Sequence, residues 1–350
     1  MSEKAVRIGF VGVGSMGQCA HLKNYATLEN CEVVAIAEIR EALGRRVAAR
    51  YGVPRVYPSA GAMLESEALD GIVAAQPFDR HGVLVPKLLR AGVPIFTEKP
   101  LAASFQVGEQ IAAAVKASGT WHMLGYHKRS DPATMCAKAE IERLKVSGEL
   151  GKLTYVRILM PAGDWIAGGF NDLIRVPGPY PDLERDPPAP DMDEATYQSY
   201  TAFVNYYIHQ VNLMRHLLGE PYEVTYAEPS GVLLAGQSAS GVACTIEMSP
   251  YRTTIDWQES ALVCFERGYV WLELPAPLAS NHPGRVEFFR DPGNGAPETV
   301  IPQLPWIHAM RQQAMNFIAA IQGKAKPPCE AQEALEDLRV ARAYIGLLGG

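Results

Sequence analysis

The chain has 350 residues, 48% of them hydrophobic and 20% charged, which is enough apolar material for two buried cores and too little charge for a disordered chain. Against 38 Asp and Glu, 32 Lys and Arg leave a formal charge of -6 with no basic run, so the footprint of a nucleic-acid binder is missing and a small neutral or anionic ligand fits better. No apolar run is long enough to span a membrane, and the opening MSEKAVRIGFVG is charged only briefly before a glycine turn, unlike a signal peptide. Cys19, Cys31, Cys136, Cys244, Cys264 and Cys329 are scattered without a CxxC pair or zinc-like spacing, which predicts reduced structural thiols, no metal site and a cytoplasmic location.

Through about residue 125, the short apolar runs VRIGFVG, EVVAIAE, GIVAAQP, VPIFTEKP and WHMLGYH alternate with longer segments of helical spacing, the signature of a parallel sheet covered by helices. Residues 80–91, for example, place Val83, Leu84, Lys87, Leu88 and Ala91 on or near one face before Gly92 ends the helix. A further helix is predicted around 132–147. The period then changes to strand-like alternation in LTYVRILM, GVACTIEM, SALVCFERG and VWLEL, which reads as antiparallel sheet. Residues 161–195, rich in Pro, Gly, Asp and Glu, are too long for an ordinary connection and are expected to form a lid or wall of a substrate site. Segments 306–322 and 330–348 read as helices separated by a Pro-Pro break. The expected fold class is α/β: an N-terminal doubly wound parallel sheet over 1–125, an α+β domain with a large, mostly antiparallel open sheet over 126–305, and C-terminal helices over 306–350 that pack back on the body.

Directly after the first apolar run stands Gly12-Val13-Gly14-Ser15-Met16-Gly17, a GxGxxG that opens a helical segment. In that context Gly12 permits the tight turn, Gly14 lets a pyrophosphate approach the backbone, and Gly17 lets helix and strand pack closely. The second apolar run ends in Glu38, about twenty residues on, where a carboxylate accepts hydrogen bonds from both adenosine ribose hydroxyls and favours NAD over NADP. Arg40 complicates that preference, because an arginine two positions after the acid could accommodate a 2′-phosphate if Glu38 turned away.

At Thr97-Glu98-Lys99-Pro100 the chain resembles the glucose-fructose oxidoreductase, inositol dehydrogenase and rhizopine-catabolism (Gfo/Idh/MocA) family, in which an EKP tripeptide ends a strand of a Rossmann domain. Gln76-Pro77 followed by His81 resembles that family's TP-then-His segment on the nicotinamide side, and Lys128-Arg129-Ser130-Asp131-Pro132 resembles its R-x-D-P segment. The resemblance covers nearly the whole chain. It implies that Lys99 sits beside the nicotinamide and hydrogen-bonds the reacting hydroxyl, stabilising alkoxide charge as hydride leaves carbon, and that the bond before Pro100 is often cis. It also matches the family's D-x-x-x-H helix to Asn205-Tyr206-Tyr207-Ile208-His209, with His209 as the proton acceptor during oxidation. Residues four apart on one helix share a face. Asparagine at 205 departs from the family pattern, since an amide cannot stabilise an imidazolium by charge.

Tyr126, Arg129, Asp164, Trp165, Arg175, Tyr206 and His209 are the candidate substrate contacts: rings stack on sugar faces and fixed polar groups read hydroxyls. The resemblance thus implies hydride transfer between a secondary alcohol of a sugar, cyclitol or sugar derivative and NAD. Two other readings stay open: a glycosidase that oxidises transiently, eliminates and adds water without net NADH, and a non-catalytic NAD-binding sensor, against which the retention of Lys99 and His209 speaks. The family's habit of pairing through the open sheet, together with apolar strands such as SALVCFE, implies a homodimer or homotetramer.

Overall fold

The structure, a computed structural model, describes residues 4–349. In chain order, β1 (Val6–Val11) leads into a π-helical stretch (Gly17–Leu22) continuous with α1 (Lys23–Tyr25). Then follow β2 (Cys31–Ala37), α2 (Glu41–Tyr51), β3 (Arg55–Tyr57), α3 (Ala60–Ser66), β4 (Gly71–Ala74), α4 (His81–Leu89), β5 (Ile95–Thr97), α5 (Phe105–Ser118) and β6 (His122–Leu124). The second half comprises α6 (Pro132–Ser147), β7 (Leu153–Leu159), α7 (Glu194–Tyr206), α8 (Ile208–Leu218), β8 (Tyr222–Ala227), β9 (Leu233–Ser238), β10 (Ala243–Glu247), β11 (Ser260–Phe265), β12 (Gly268–Glu273), β13 (Arg285–Arg290) and β14 (Glu298–Val300). It closes with α9 (Ala309–Ile321) and α10 (Ala331–Leu348).

Two compact units emerge, and neither is continuous in sequence. One comprises 1–126, 169–193 and 313–338; the other comprises 127–168, 194–312 and 339–350. A division by chain order at 125 and 305 therefore separates residues that pack together.

The first unit holds a six-stranded parallel sheet in the order β3-β2-β1-β4-β5-β6. Its central strands are almost wholly apolar, as expected when helices cover both faces: β4 is buried at every position and β1 at all but Arg7. Strand order reverses between β1 and β4, and the carboxyl ends beside such a reversal form the crevice where doubly wound sheets take ligands. The edge strand β3 went unread in the sequence because its residues are exposed or half-buried and no apolar run marks it. Phe317, on α9, completes the core by packing edge-on against Tyr25, Phe96 and Trp121.

The second unit is built on an eight-stranded sheet in the order β14-β13-β12-β11-β7-β10-β9-β8. Every pairing is antiparallel except β7 with β10, which run parallel from Ala243 opposite Tyr155 to Glu247 opposite Leu159. The expectation of a mostly antiparallel sheet holds. Helix α6 packs on β12 and β13, and α8 on β7 and β10. Along β11 and β12, buried Ala261, Val263, Val270 and Leu272 alternate with half-buried Leu262, Cys264, Tyr269 and Trp271, the period of two that gives a sheet one covered and one open face. Helix α6 begins where Asp131 accepts from the Ala133 amide with Pro132 in the first turn, and it ends at left-handed Gly148, so both its boundaries follow from local chemistry.

Candidate functional site

The turn between β1 and the helical stretch uses its three glycines for three different reasons. Gly12 has φ +85°, and a Cβ there would stand 2.2 Å from Gln76 Nε2 and 2.8 Å from the Ala75 carbonyl oxygen. A Cβ at Gly17 would stand 2.6 Å from the Gly12 carbonyl oxygen. Both positions are closed by the protein itself. Gly14 differs: the nearest atom to its Cβ would be Arg40 Nη2, at 3.8 Å, so what excludes a side chain there is not the fold. Ser15 is exposed and Met16 half-buried at the start of the helix. A turn that keeps its second glycine clear, at the strand-order reversal, fits a dinucleotide pyrophosphate lying against the backbone.

Glu38 follows β2 and is 4% exposed. Its carboxylate accepts from the Val13 amide at 3.0 Å, the Arg40 amide at 3.1 Å and Arg40 Nε at 2.9 Å. Glu38 has not turned away, and Arg40 is tied to it, with its guanidinium carbon 4.9 Å from the centre of the Tyr180 ring, within cation–π range. Gln76 leans on Gly12 and accepts from Arg80 Nη1 at 2.9 Å. Pro77 caps the short turn that precedes α4. His81 is fully buried, with Nδ1 3.1 Å from the Leu101 carbonyl oxygen, and burial lowers its imidazole below the usual histidine range.

Glu98, Lys99 and Pro100 follow β5, and the Lys99–Pro100 bond is cis. Lys99 is half-buried. Glu98 lies 2.6 Å from Nε2 of His21, a residue 1% exposed in the π-helical stretch. Burial pushes the Glu98 carboxyl up, but the hydrogen bond and charge of His21, with help from Lys99, hold it below the usual carboxylate range. This His21–Glu98 pair escaped the sequence reading, because nothing local connects residues 77 apart.

Of the proline-rich segment, 169–193 packs on the first unit. Arg175 is exposed and its carbonyl accepts from Arg46 Nη1 at 2.9 Å. Tyr126, the last residue of that unit's first stretch, is 1% exposed.

In the second unit, the expectation of one helix carrying Asn205 and His209 needs correction. The helix is interrupted at Tyr207, so Asn205 lies near the end of α7 and His209 near the start of α8. The Tyr207 hydroxyl donates to the Met248 carbonyl and meets the Ser249 hydroxyl, while its backbone stays in the right-handed helical region and its amide still donates to the Phe203 carbonyl at 2.8 Å. Asn205 is exposed, Tyr206 and His209 half-buried, and burial raises the Tyr206 phenol above its usual value. The His209 ring stands edge-on to buried His127, centroids 4.5 Å apart.

Arg129, buried in the same turn as His127, donates from Nε to Asn212 Oδ1 at 2.6 Å. Next to it, the sequence reading missed a buried ion pair between Lys128 and Glu259, whose side chains are 4% and 0% exposed. Glu259 also accepts from Gln210 Nε2 at 2.8 Å and Trp257 Nε1 at 3.2 Å. The chain residue after His209 is thereby anchored. Asp131 accepts from the Gly284 amide as well as capping α6, and burial raises its carboxyl to about 6 despite the amides of Ala133 and Gly284 that favour the anion. Asp164 accepts from the Ile166 and Ala167 amides at 3.0 and 3.1 Å and so builds a turn. Trp165 is half-buried beside it. Among the described residues, no group of three or more His, Cys, Asp or Glu could hold a metal ion, and no helix is long and apolar enough to cross a membrane.

Residues 6–126 match the model of the oxidoreductase family with an NAD-binding Rossmann fold. The chain is 28% identical over 233 residues to scyllo-inositol 2-dehydrogenase (NAD(+)) of Bacillus subtilis (strain 168), covering 66% of this chain and 59% of that one, so under two thirds of that relative's length is spanned. It is 25% identical over 354 residues to inositol 2-dehydrogenase of Rhizobium meliloti (strain 1021), covering 97% and 96%. Among solved structures, an NAD binding oxidoreductase from Klebsiella pneumoniae superposes with a TM-score of 0.74 at 18% identity over 99% of this chain and 97% of that one, which shows a shared fold. Residues 6–126, which carry the glycine turn, Glu38 and the EKP segment, belong to the Gfo/Idh/MocA family of NAD-binding Rossmann domains, and the chain beyond them is similar to inositol 2-dehydrogenases.

Proposed function

We propose that this protein is an NAD-dependent dehydrogenase that moves hydride between a secondary alcohol of a cyclitol, sugar or sugar derivative and nicotinamide. The observation that carries the reading is Gly14: a backbone left clear at the strand reversal, flanked by the Glu38 carboxylate bonded to the Val13 amide. The similarity to inositol 2-dehydrogenases supports a polyol as the substrate class. NAD, when bound, accepts the hydride and returns it.

The chain's own groups handle charge and protons. Lys99 donates a hydrogen bond to the reacting oxygen and stabilises the negative charge that develops there. His209 accepts the hydroxyl proton during oxidation and returns it in reduction. Asn205 orients the substrate or the imidazole through hydrogen bonds and not through charge. Tyr126, Arg129, Asp164, Trp165, Arg175 and Tyr206 are the candidate substrate contacts, with Asp164 the weakest, because both backbone amides it serves lie in its own turn. Glu38 supports NAD over NADP: its Oε2 takes the Val13 amide and retains capacity for a ribose hydroxyl, whereas a 2′-phosphate would meet a buried carboxylate.

Half-buried Leu262, Cys264, Tyr269, Trp271 and Phe289 on the open sheet face support pairing of identical chains, which light scattering of the purified protein tests. For the activity, purified protein is assayed by mass spectrometry of released ligand and by absorbance against free polyols and glycosides. NADH accumulating on a free polyol supports the dehydrogenase. Glycoside cleavage with no net NADH replaces it by the transient-oxidation hydrolase, and bound NAD with neither reaction leaves the sensor.

A further inference from the structure

Residues 174–186 are linked to the glycine turn by three routes within the first unit, one directly through Gln18 and two through Arg40 and through Arg80 with Gln76. Gln18, 3% exposed, accepts from the Ile174 amide at 3.0 Å, donates to the Ile174 carbonyl at 3.2 Å and donates to the carbonyl of Val13 at 2.8 Å. Tyr180 places its ring against the Arg40 guanidinium, which is the nearest group to the clear space at Gly14. The Glu184 carbonyl accepts from Arg80 Nε at 2.8 Å, and Arg80 in turn holds Gln76, which abuts Gly12. Val13, Gly14 and Gly12 are thus each one or two side chains away from the same distant segment.

The far end of that segment is anchored independently. The Asp186 carboxylate accepts from the Gly82 and Val83 amides, both at 2.9 Å, and its own amide donates to the Asp79 carbonyl at 2.7 Å. A Cβ at Gly82 would stand 2.5 Å from Val107 Cγ1 and 2.7 Å from an Asp186 oxygen, so the close approach of Asp186 uses the glycine. A long loop with both ends hydrogen-bonded and its middle packed on a charged group is an ordered structural part, not a loose connection.

We propose that residues 174–186 are a clasp for the dinucleotide, with Tyr180 as a cofactor-positioning residue, and that NAD leaves only when this segment undocks. The inference rests on the NAD reading above and extends it, because it makes the cofactor slow to exchange. Tyr180 fixes Arg40 against Glu38, and Gln18 and Gln76 tie the glycine turn to the two ends of the clasp. Releasing the phosphates from the turn therefore disturbs groups that the clasp holds in place.

The test uses the full-length protein loaded with NADH, mixed rapidly with excess NAD while bound-NADH fluorescence is followed. Tyr180→Ala removes the ring and Asp186→Asn weakens the far anchor; each is expected to raise the dissociation rate at least about tenfold, equivalent to about 1.4 kcal/mol. Tyr180→Phe keeps the ring and is expected to stay within about twofold of wild type. The thermal midpoint of the NAD-free Tyr180→Ala protein is expected to be unchanged, because the side chain is 52% exposed. Hydrogen exchange of amides 174–186 in the wild type should slow on adding NAD. Normal binding with unchanged dissociation rates in Tyr180→Ala, or clasp amides indifferent to NAD, overturns the clasp alone. Wild-type protein that binds no dinucleotide overturns the NAD reading and the clasp with it. Should Asp186→Asn fail to fold, Tyr180→Ala and the exchange measurement decide.

Discussion

Alanine at Gly14 and alanine at Gly17 add the same methyl group three residues apart, and the structure predicts opposite consequences. At Gly14 the backbone is outside the left-handed region and the new Cβ meets only Arg40 Nη2 at 3.8 Å. A glycine replaced at such a site commonly gains about 0.4–1 kcal/mol by narrowing the unfolded ensemble. At Gly17 the Cβ would sit 2.6 Å from the Gly12 carbonyl oxygen, and forcing an extra methyl into closed packing costs about 1–3 kcal/mol. With about 2–4 °C of melting temperature per kcal/mol for a domain of this class, NAD-free Gly14→Ala should melt at or slightly above wild type and Gly17→Ala several degrees below. Dinucleotide binding should reverse the ranking of concern: Gly14→Ala blocks the phosphate approach and loses at least about tenfold in affinity, about 1.4 kcal/mol. Thermal unfolding with and without NAD, and calorimetric titration, read both quantities. Wild-type affinity in Gly14→Ala would show that the phosphates do not lie against this turn, and equal destabilisation by the two variants would refute the packing argument.

Lys99→Met and His209→Ala should each lower turnover on the best polyol by about a hundredfold or more, while calorimetry finds NAD affinity within a few-fold of wild type for His209→Ala; turnover preserved in either variant removes that residue from the mechanism. Glu259→Gln leaves the Lys128 ammonium buried without its anion, a loss expected to cost about 3–5 kcal/mol in denaturant unfolding; a cost below about 1 kcal/mol would mean that water reaches the pair. Asp131, with a carboxyl raised to about 6, is held more weakly as an anion than in the unfolded chain. Its contribution to stability is therefore greatest at low pH and declines as pH rises from about 4 through about 6, by up to about 3 kcal/mol. Asp131→Asn should flatten the denaturation midpoint between pH 4 and pH 7 relative to wild type, and parallel curves for the two proteins would refute the assignment.

What was readable in the chain was what is local in it. The glycine turn, Glu38 and α6 with its Asp131 cap and Gly148 stop each depend on residues within a few positions or one βα unit. Strands β8, β9, β13 and β14 went unread because exposed polar positions and a mid-strand Gly236 dilute their alternation, and they exist through cross-strand pairing. The break at Tyr207 carries no Pro or Gly to announce it, and the contacts of its phenol lie about forty positions away. Lys128 and Glu259 are 131 residues apart, and Gln18 and Ile174 are 156 apart. Such pairs leave no periodic trace, so the buried acid beside Gln210 and the clasp on the turn could be found only in three dimensions.

The first unit's core is finished by a segment made long after its sheet. Phe317 and Ile318 are fully buried in it, Ile321 fills the space above Gly71, and the Leu124 amide donates to the Cys329 carbonyl at 2.9 Å. On a ribosome adding about 5–20 residues per second, strands β1 to β6 emerge and then wait some tens of seconds for α9. During that interval a hollow opens where three aromatic rings should meet Phe317. A message truncated before α9 would therefore yield a sheet with its aromatic pocket exposed, a substrate for chaperones and proteases and not a smaller dinucleotide-binding protein.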